Sequence, residues 1–100
     1  QKFNENSSYH LFILRIDFNK IKKTRTEIMK ILRARGIGSQ VHYIPIPMHP
    51  LYKKINNQNI NKELPNALKY YKEALSIPIF YDLSYNNQKN IINIFKDIIE

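Results

Sequence analysis

Length, composition and charge narrow the classes of protein to which this chain can belong. Its 100 residues, 43% hydrophobic and 24% charged, fit one globular domain and exclude a disordered chain. The absence of cysteine excludes a disulfide scaffold, a zinc ribbon and a thiol nucleophile. The start is polar and no apolar run approaches the roughly 20 residues of a membrane span, so we expect a cytoplasmic protein without a membrane partner.

The net charge of +8 leaves two interpretations open. A basic chain can attract nucleic acid or another anionic partner. However, the lysines are scattered, and Lys, Asn and Ile supply 12, 12 and 17 residues, a bias typical of A/T-rich coding sequence. We therefore favour a solvated surface with no nucleic-acid partner, and keep a basic nucleic-acid-binding or interaction module as the alternative.

The first half of the chain predicts a strand, a helix and a second strand. The apolar run from His10 to Asp17 indicates a buried or nearly buried strand, covered on both faces. Thr24 to Glu27 fits a capping box at the start of a helix that ends at about Arg35. Gly36 is placed to take the left-handed conformation that terminates this helix. Ser39 to Ile44 then follows as the second strand.

Prolines and asparagines mark the segment that comes next. Pro45, Pro47 and Pro50 lack the amide donor that a central strand needs, so an extended loop or a sheet edge is predicted. The polar residues from Lys53 to Lys62 are predicted to form a loop as well.

Two further helices and a short strand complete the prediction. Pro65 suits the first turn of a helix that carries Leu75 on its apolar side and ends before Pro78. Ser76 to Phe80 is predicted as a short edge strand. Ser84 caps an amphipathic helix that runs to the end of the chain. This order of elements predicts an α+β fold, a small sheet covered by helices.

Polar side chains that could bind a ligand follow the first helix. On a strand, Gln40 and His42 share one face, opposite Val41 and Tyr43. Gln, His and Tyr can hydrogen-bond sugar hydroxyls, uracil edges or phosphates, and Arg35 can pair with a diphosphate. An edge strand with a tyrosine in the core explains the same residues, so the residues alone leave the two interpretations evenly balanced.

The three histidines are the candidates for metal binding or proton transfer. The spacing of His10, His42 and His49 matches no familiar metal pattern, so no metal site is predicted. We expect His10 to make a structural hydrogen bond and His49 to be exposed or to cap a turn.

Six short motifs follow one another over nearly the whole chain: SS-x-HL at 7–11, R-x-RGIG at 33–38, QVHYIPI at 40–46, LY at 51–52, LPNA at 64–67 and SIP at 76–78. In this order they resemble the C-terminal domain of the DegT-type sugar-nucleotide aminotransferases. The resemblance points within that family to the pathway to pseudaminic acid. Transaminases for bacillosamine, perosamine or aminoarabinose and an inactive paralogue remain open.

The resemblance implies the small C-terminal domain of a fold-type I enzyme that uses pyridoxal phosphate. Residues 1–100 would be this single domain, and the large cofactor-binding domain with its Schiff-base lysine would lie outside the chain. No catalytic or cofactor-binding residue is then expected here, and the isolated chain is predicted to be inactive. The implied partners are the enzyme's own N-terminal large domain, a homodimer mate, a UDP-4-keto-6-deoxy sugar aminated at C4, and glutamate as amino donor.

The resemblance also implies that this domain closes the sugar-nucleotide pocket. Arg35 would face the diphosphate, and Gln40, Val41, His42 and Tyr43 would line the nucleotide or the sugar. His42 would bind the substrate and not act as general base. The run YIPIPMHP is less polar than the family pattern, which leaves the sugar itself open.

Overall fold

Helices and two short strands make up the computed structural model, which describes residues 4–55 and 60–100. The strands are β1 (Phe12–Arg15) and β2 (Ala74–Ile77). The helices are α1 (Arg25–Ala34), α2 (Pro50–Ile55), α3 (Ile60–Glu63), α4 (Pro65–Glu73) and α5 (Tyr85–Ile99), with a 3₁₀ turn at Ile46–Met48 before α2. The predicted α+β fold, a small sheet with helices, is confirmed.

The two strands pair antiparallel and divide the structure into two sides. Leu14 lies opposite Leu75, and Ile13 lies opposite Ser76. Because side chains alternate along a strand, these two pairs point to opposite faces of the sheet. The face with Leu75 packs against α1 and α5 in a cluster of buried residues: Ile28, Leu32, Ile37, Leu75, Ile91, Phe95 and Ile98.

The predicted signals at both ends of α1 are confirmed. At the start, the Thr24 hydroxyl accepts from the Glu27 amide at 3.2 Å, and the Glu27 carboxylate accepts from the Thr24 amide at 2.6 Å. At the end, Gly36 has φ of +77° and the Ile37 amide donates to the Leu32 carbonyl at 2.9 Å. These are the bonds of a Schellman motif, and its apolar pair, Leu32 and Ile37, lies in the core.

Two basic side chains tie the start of α1 to distant elements. The Arg25 guanidinium lies 4.9 Å from the Tyr71 ring centroid and donates to the carbonyls of Tyr71 and Ala74, where α4 gives way to β2. The Lys23 ammonium donates to the Ile98 carbonyl of α5 at 2.8 Å. The carbonyls of Tyr71 and Ile98 lie in the last turns of α4 and α5, where carbonyls lack a partner within the helix and a cation can satisfy them.

The predicted second strand from Ser39 to Ile44 is wrong except at one residue. Gln40 forms a single antiparallel bridge with Ser76, with N···O distances of 3.0 and 2.8 Å, and the chain then leaves the sheet. Pro45 and Pro47 lack the amides that further pairing needs, so the segment turns into the 3₁₀ turn and α2.

The predicted loop from Lys53 to Lys62 is also wrong where the structure describes it. Its ends belong to α2 and α3, and residues 56–59 lie outside the described residues. Pro50 occupies the first position of α2, where a missing amide donor leaves no intrahelical bond unmade. The proline that was expected to keep the chain extended therefore begins a helix.

The sheet itself differs from prediction in two details. Helix α4 ends at Glu73, and Ala74 and Leu75 belong to β2, because pairing with β1 overrides the helical periodicity of Leu75. Strand β1 is only four residues long and is not covered on both faces, since Phe12 is 46% exposed. The predicted terminal helix α5 is confirmed, with the Ser84 hydroxyl accepting from the Asn87 amide.

Candidate functional site

A cavity of about 410 Å³ lies beside the end of β2, where three distant segments meet. The Gln40–Ser76 bridge fixes the backbone of two of these segments side by side. The third segment is the chain that leads into β1. The residues that line the cavity are His10, Leu11, Gly38, Ser39, Gln40, His42, Ser76, Ile77, Pro78 and Ile79.

The structure brings two of the five predicted site residues together in this cavity. Gln40 and His42 line it, as the alternation of side chains predicts, whereas Val41 and Tyr43 are not among the described residues in its wall. Tyr43 is 80% exposed, which rules out the core tyrosine of the structural interpretation. The His42 and Tyr43 rings meet edge to face, with centroids 5.1 Å apart.

Arg35 lies apart from this cavity. Its guanidinium forms an ion pair with Asp97 of α5 at 3.1 Å, and both side chains are about half exposed. A neighbouring groove shares Gly38 and Ser39 with the cavity and carries Lys30 and Arg33. The basic groups Lys30 and Arg33 of α1 therefore lie in a groove that adjoins the cavity.

Two polar atoms at the cavity are buried without a hydrogen-bond partner among the described residues. They are Nε2 of His42 and Oγ of Ser76. A buried polar atom that lacks a partner is unfavourable by about 1–3 kcal/mol, so such atoms are uncommon outside functional sites. Ser76 was missed as a site residue, and its only signal was a small polar residue among the apolar residues of ALSI.

The chemistry of the cavity does not fit pyridoxal phosphate. The cofactor needs a lysine for its imine and donors for its phosphate dianion. The ten lining residues include no lysine and no arginine. The cavity offers hydroxyl, amide and imidazole groups instead, which suit neutral hydrogen-bonding ligands.

The remaining histidines have different surroundings. His10 lines the cavity and is exposed, and no hydrogen bond of its ring is seen among the described residues. His49 is exposed, as expected, and its Nε2 lies 3.3 Å from the Ile44 carbonyl oxygen.

Within residues 4–55 and 60–100, no three acidic or histidine side chains are grouped to hold a metal ion. None of the helices described there combines the length and the apolar character that crossing a membrane requires.

Comparison with known families identifies the chain. The pattern of the DegT/DnrJ/EryC1/StrS aminotransferase family matches residues 1–96. The chain therefore belongs to this family of aminotransferases.

Among curated proteins, the chain is 34% identical over 94 residues to the spore coat polysaccharide biosynthesis protein SpsC of Bacillus subtilis. It is 32% identical over 94 residues to the UDP-4-amino-4,6-dideoxy-N-acetyl-beta-L-altrosamine transaminase of Campylobacter jejuni. These alignments cover 93% and 94% of the chain but only 24% of each relative. The chain thus spans about a quarter of the length of the curated relatives it matches.

Solved structures share the fold. Helicobacter pylori PseC, an aminotransferase involved in the biosynthesis of pseudoaminic acid, superposes with a TM-score of 0.83 at 27% identity, over 97% of this chain and 25% of that one. The sugar aminotransferase Spr1654 of Streptococcus pneumoniae, solved in a PLP form, gives a TM-score of 0.78 at 29% identity over 96% of this chain and 24% of that one.

Proposed function

We propose that this chain is the C-terminal small domain of a pyridoxal-phosphate-dependent aminotransferase that aminates C4 of a UDP-4-keto-6-deoxy sugar. The observation that carries the proposal is the family match over residues 1–96 together with relatives named as sugar aminotransferases. The chain spans a quarter of those relatives, so the activity belongs to a longer protein and not to these residues alone.

In this proposal the cofactor is held by a large N-terminal domain outside the chain. The absence of lysine and arginine from the cavity supports this division, because the cavity has no lysine for the imine and no basic Lys or Arg side chain to balance the charge of the phosphate. The small domain then has the task of closing the sugar-nucleotide pocket, with Gln40 and His42 directed to the ligand. The protein works in the cytoplasm as a homodimer, with glutamate as the amino donor.

The pathway to pseudaminic acid is the proposed context. Two similar proteins point there, since one is named as the altrosamine transaminase and the other as an aminotransferase of pseudoaminic acid biosynthesis. SpsC, named for spore coat polysaccharide biosynthesis, supports the broader class of sugar enzymes.

The experiment is an amino-transfer assay on the whole protein that carries this domain. It is incubated with glutamate and with the UDP-4-keto-6-deoxy sugars that precede pseudaminic acid or bacillosamine, and release of 2-oxoglutarate is followed. We expect release with the first sugar in clear excess over the second, and an amine-bearing nucleotide sugar by mass spectrometry. UDP-N-acetylglucosamine, which has no ketone, is the control. If neither keto sugar leads to release of 2-oxoglutarate, the proposal is contradicted.

A further inference from the structure

Ser76 is paired through its backbone with residues on both sides of its strand. It lies between Ile13 of β1 and Gln40, and its backbone amide and carbonyl both bond to Gln40. Only 6% of the residue is exposed, and it is the one buried polar residue that the described structure contains. The backbone of Ser76 is therefore fixed, and its hydroxyl can change direction only by rotation about χ1.

The hydroxyl has no structural partner to explain its burial. Its Oγ, like Nε2 of His42, makes no hydrogen bond to a described residue. The two residues line the same cavity from different segments. A strand position opposite Ile13 favours an apolar side chain, so serine here is unfavourable for folding unless something else binds it.

The composition of the cavity lining indicates which kind of ligand group could bind these two atoms. The lining holds no Lys, Arg, Asp or Glu, so it lacks the side chains that most often offset the desolvation of an ionised group. A serine hydroxyl donates and accepts, and an imidazole nitrogen does one or the other according to its tautomer. The pair thus complements a neutral group that both donates and accepts, such as a sugar hydroxyl or an amide.

We infer that Ser76 Oγ and His42 Nε2 form a subsite for one neutral hydroxyl or amide group of the nucleotide sugar. This inference rests on the proposed function. The diphosphate binds outside this cavity. Ser76 thereby becomes a binding residue, although the sequence predicted it only as part of a strand, and its hydroxyl serves the ligand and not the fold.

The test measures binding and stability of the whole protein with Ser76→Ala, and with Ser8→Ala as the matched control at an exposed serine. The probes are UDP-N-acetylglucosamine, UDP and pyrophosphate, titrated by calorimetry. We expect Ser76→Ala to weaken UDP-N-acetylglucosamine binding about tenfold, the loss of roughly one hydrogen bond, and to leave pyrophosphate binding unchanged. His42→Phe is expected to act in the same direction. Because the lost hydroxyl has no partner, the melting temperature of the ligand-free protein should stay the same or rise.

The outcomes separate this inference from the proposed function. Weaker binding of UDP as well assigns the group to the uridine, either its uracil or its ribose, and unchanged UDP binding assigns it to the sugar; both support the subsite. Unchanged binding of UDP-N-acetylglucosamine, equal weakening of pyrophosphate, or a lower melting temperature with Ser76→Ala overturns it and leaves the proposed function standing. If the unmodified protein binds none of the probes, the proposed function fails and the subsite fails with it.

Discussion

Gly36 and Gly38 lie two residues apart after α1, and only Gly36 has a backbone conformation that favours glycine. Gly36 adopts φ of +77°, and a Cβ at either position would meet no atom within 4 Å. Steric contact therefore explains neither glycine. For Gly36 the left-handed backbone is sufficient reason, since it places the amides of Gly36 and Ile37 on the last carbonyls of the helix.

We predict that Gly36→Ala lowers the free energy of unfolding by about 1 kcal/mol, the strain of an L-residue in this region. Gly38→Ala is the control, and it should leave the free energy within about 0.5 kcal/mol or raise it slightly, because alanine restricts the unfolded chain. Urea unfolding measures both. Equal destabilisation by the two variants would show that space, and not the sign of φ, limits these positions.

Arg35 was predicted to face a diphosphate, and in the structure it pairs with Asp97. Its pair with Asp97 is exposed, so it contributes less than about 1 kcal/mol to stability and can open for a ligand. If Arg35 binds the diphosphate, as the family resemblance implies, Arg35→Ala should weaken pyrophosphate binding to the whole protein and reduce its salt dependence.

Asp97→Asn provides the matched variant for this prediction. It removes the competing carboxylate and keeps the guanidinium, so pyrophosphate affinity should be equal to or higher than that of the unmodified protein. Equal weakening by Arg35→Ala and Asp97→Asn would assign Arg35 to the ion pair instead of the ligand.

At the scale of elements, the capping box makes the start of α1 sensitive to acid. The amide of Thr24, and then its hydroxyl, donate to the Glu27 carboxylate and lower the pKa of Glu27 below its usual value. A lowered pKa in the folded state stabilises the protein at pH values above the unfolded carboxyl pKa of about 4.3. This contribution is lost as pH falls through the folded pKa.

We therefore predict that Glu27→Gln flattens the acid side of the stability profile. Between about pH 6 and pH 3, the urea midpoint of the unmodified protein should fall further than that of Glu27→Gln. Thr24→Ala should lower stability by about 1 kcal/mol at neutral pH through loss of the cap. Parallel pH profiles of Glu27→Gln and the unmodified protein would contradict the assigned role of this carboxylate.

The helices were easier to predict than the strands, and the reason is physical. The ends of α1 and the start of α5 are determined by residues within one turn, namely Thr24, Glu27, Gly36 and Ser84. The strands depend on pairing over some 60 residues, as in Phe12 with Ile77. A local pattern therefore placed Leu75 on a helix, while the partner strand β1 draws it into the sheet.

For the whole molecule, part of the site could be predicted because it lies on one extended segment. Alternation placed Gln40 and His42 on one face, and both line the cavity. Ser76 could not be found in this way, since it reaches the cavity only through the bridge to Gln40. Nothing local indicated that Arg35 would pair with Asp97 of α5, which is 62 residues away in sequence.

The net charge of the whole chain does not decide between the two candidate functions. A nucleic-acid-binding module would explain the net charge of +8 but not the uncharged cavity or the family match. The sugar aminotransferase proposal accounts for the cavity and the match, and leaves most lysines on a solvated surface.

The measurement that tests the central claim most directly is the absorption spectrum and mass of the protein as its own cells produce it. We predict a chain several times heavier than the 12.0 kDa of these residues, with the yellow band of a lysine-bound pyridoxal phosphate. The band should bleach on addition of glutamate, as the amino group passes to the cofactor. A colourless protein of about 12.0 kDa that does not respond to glutamate would contradict the claim that this domain serves an aminotransferase.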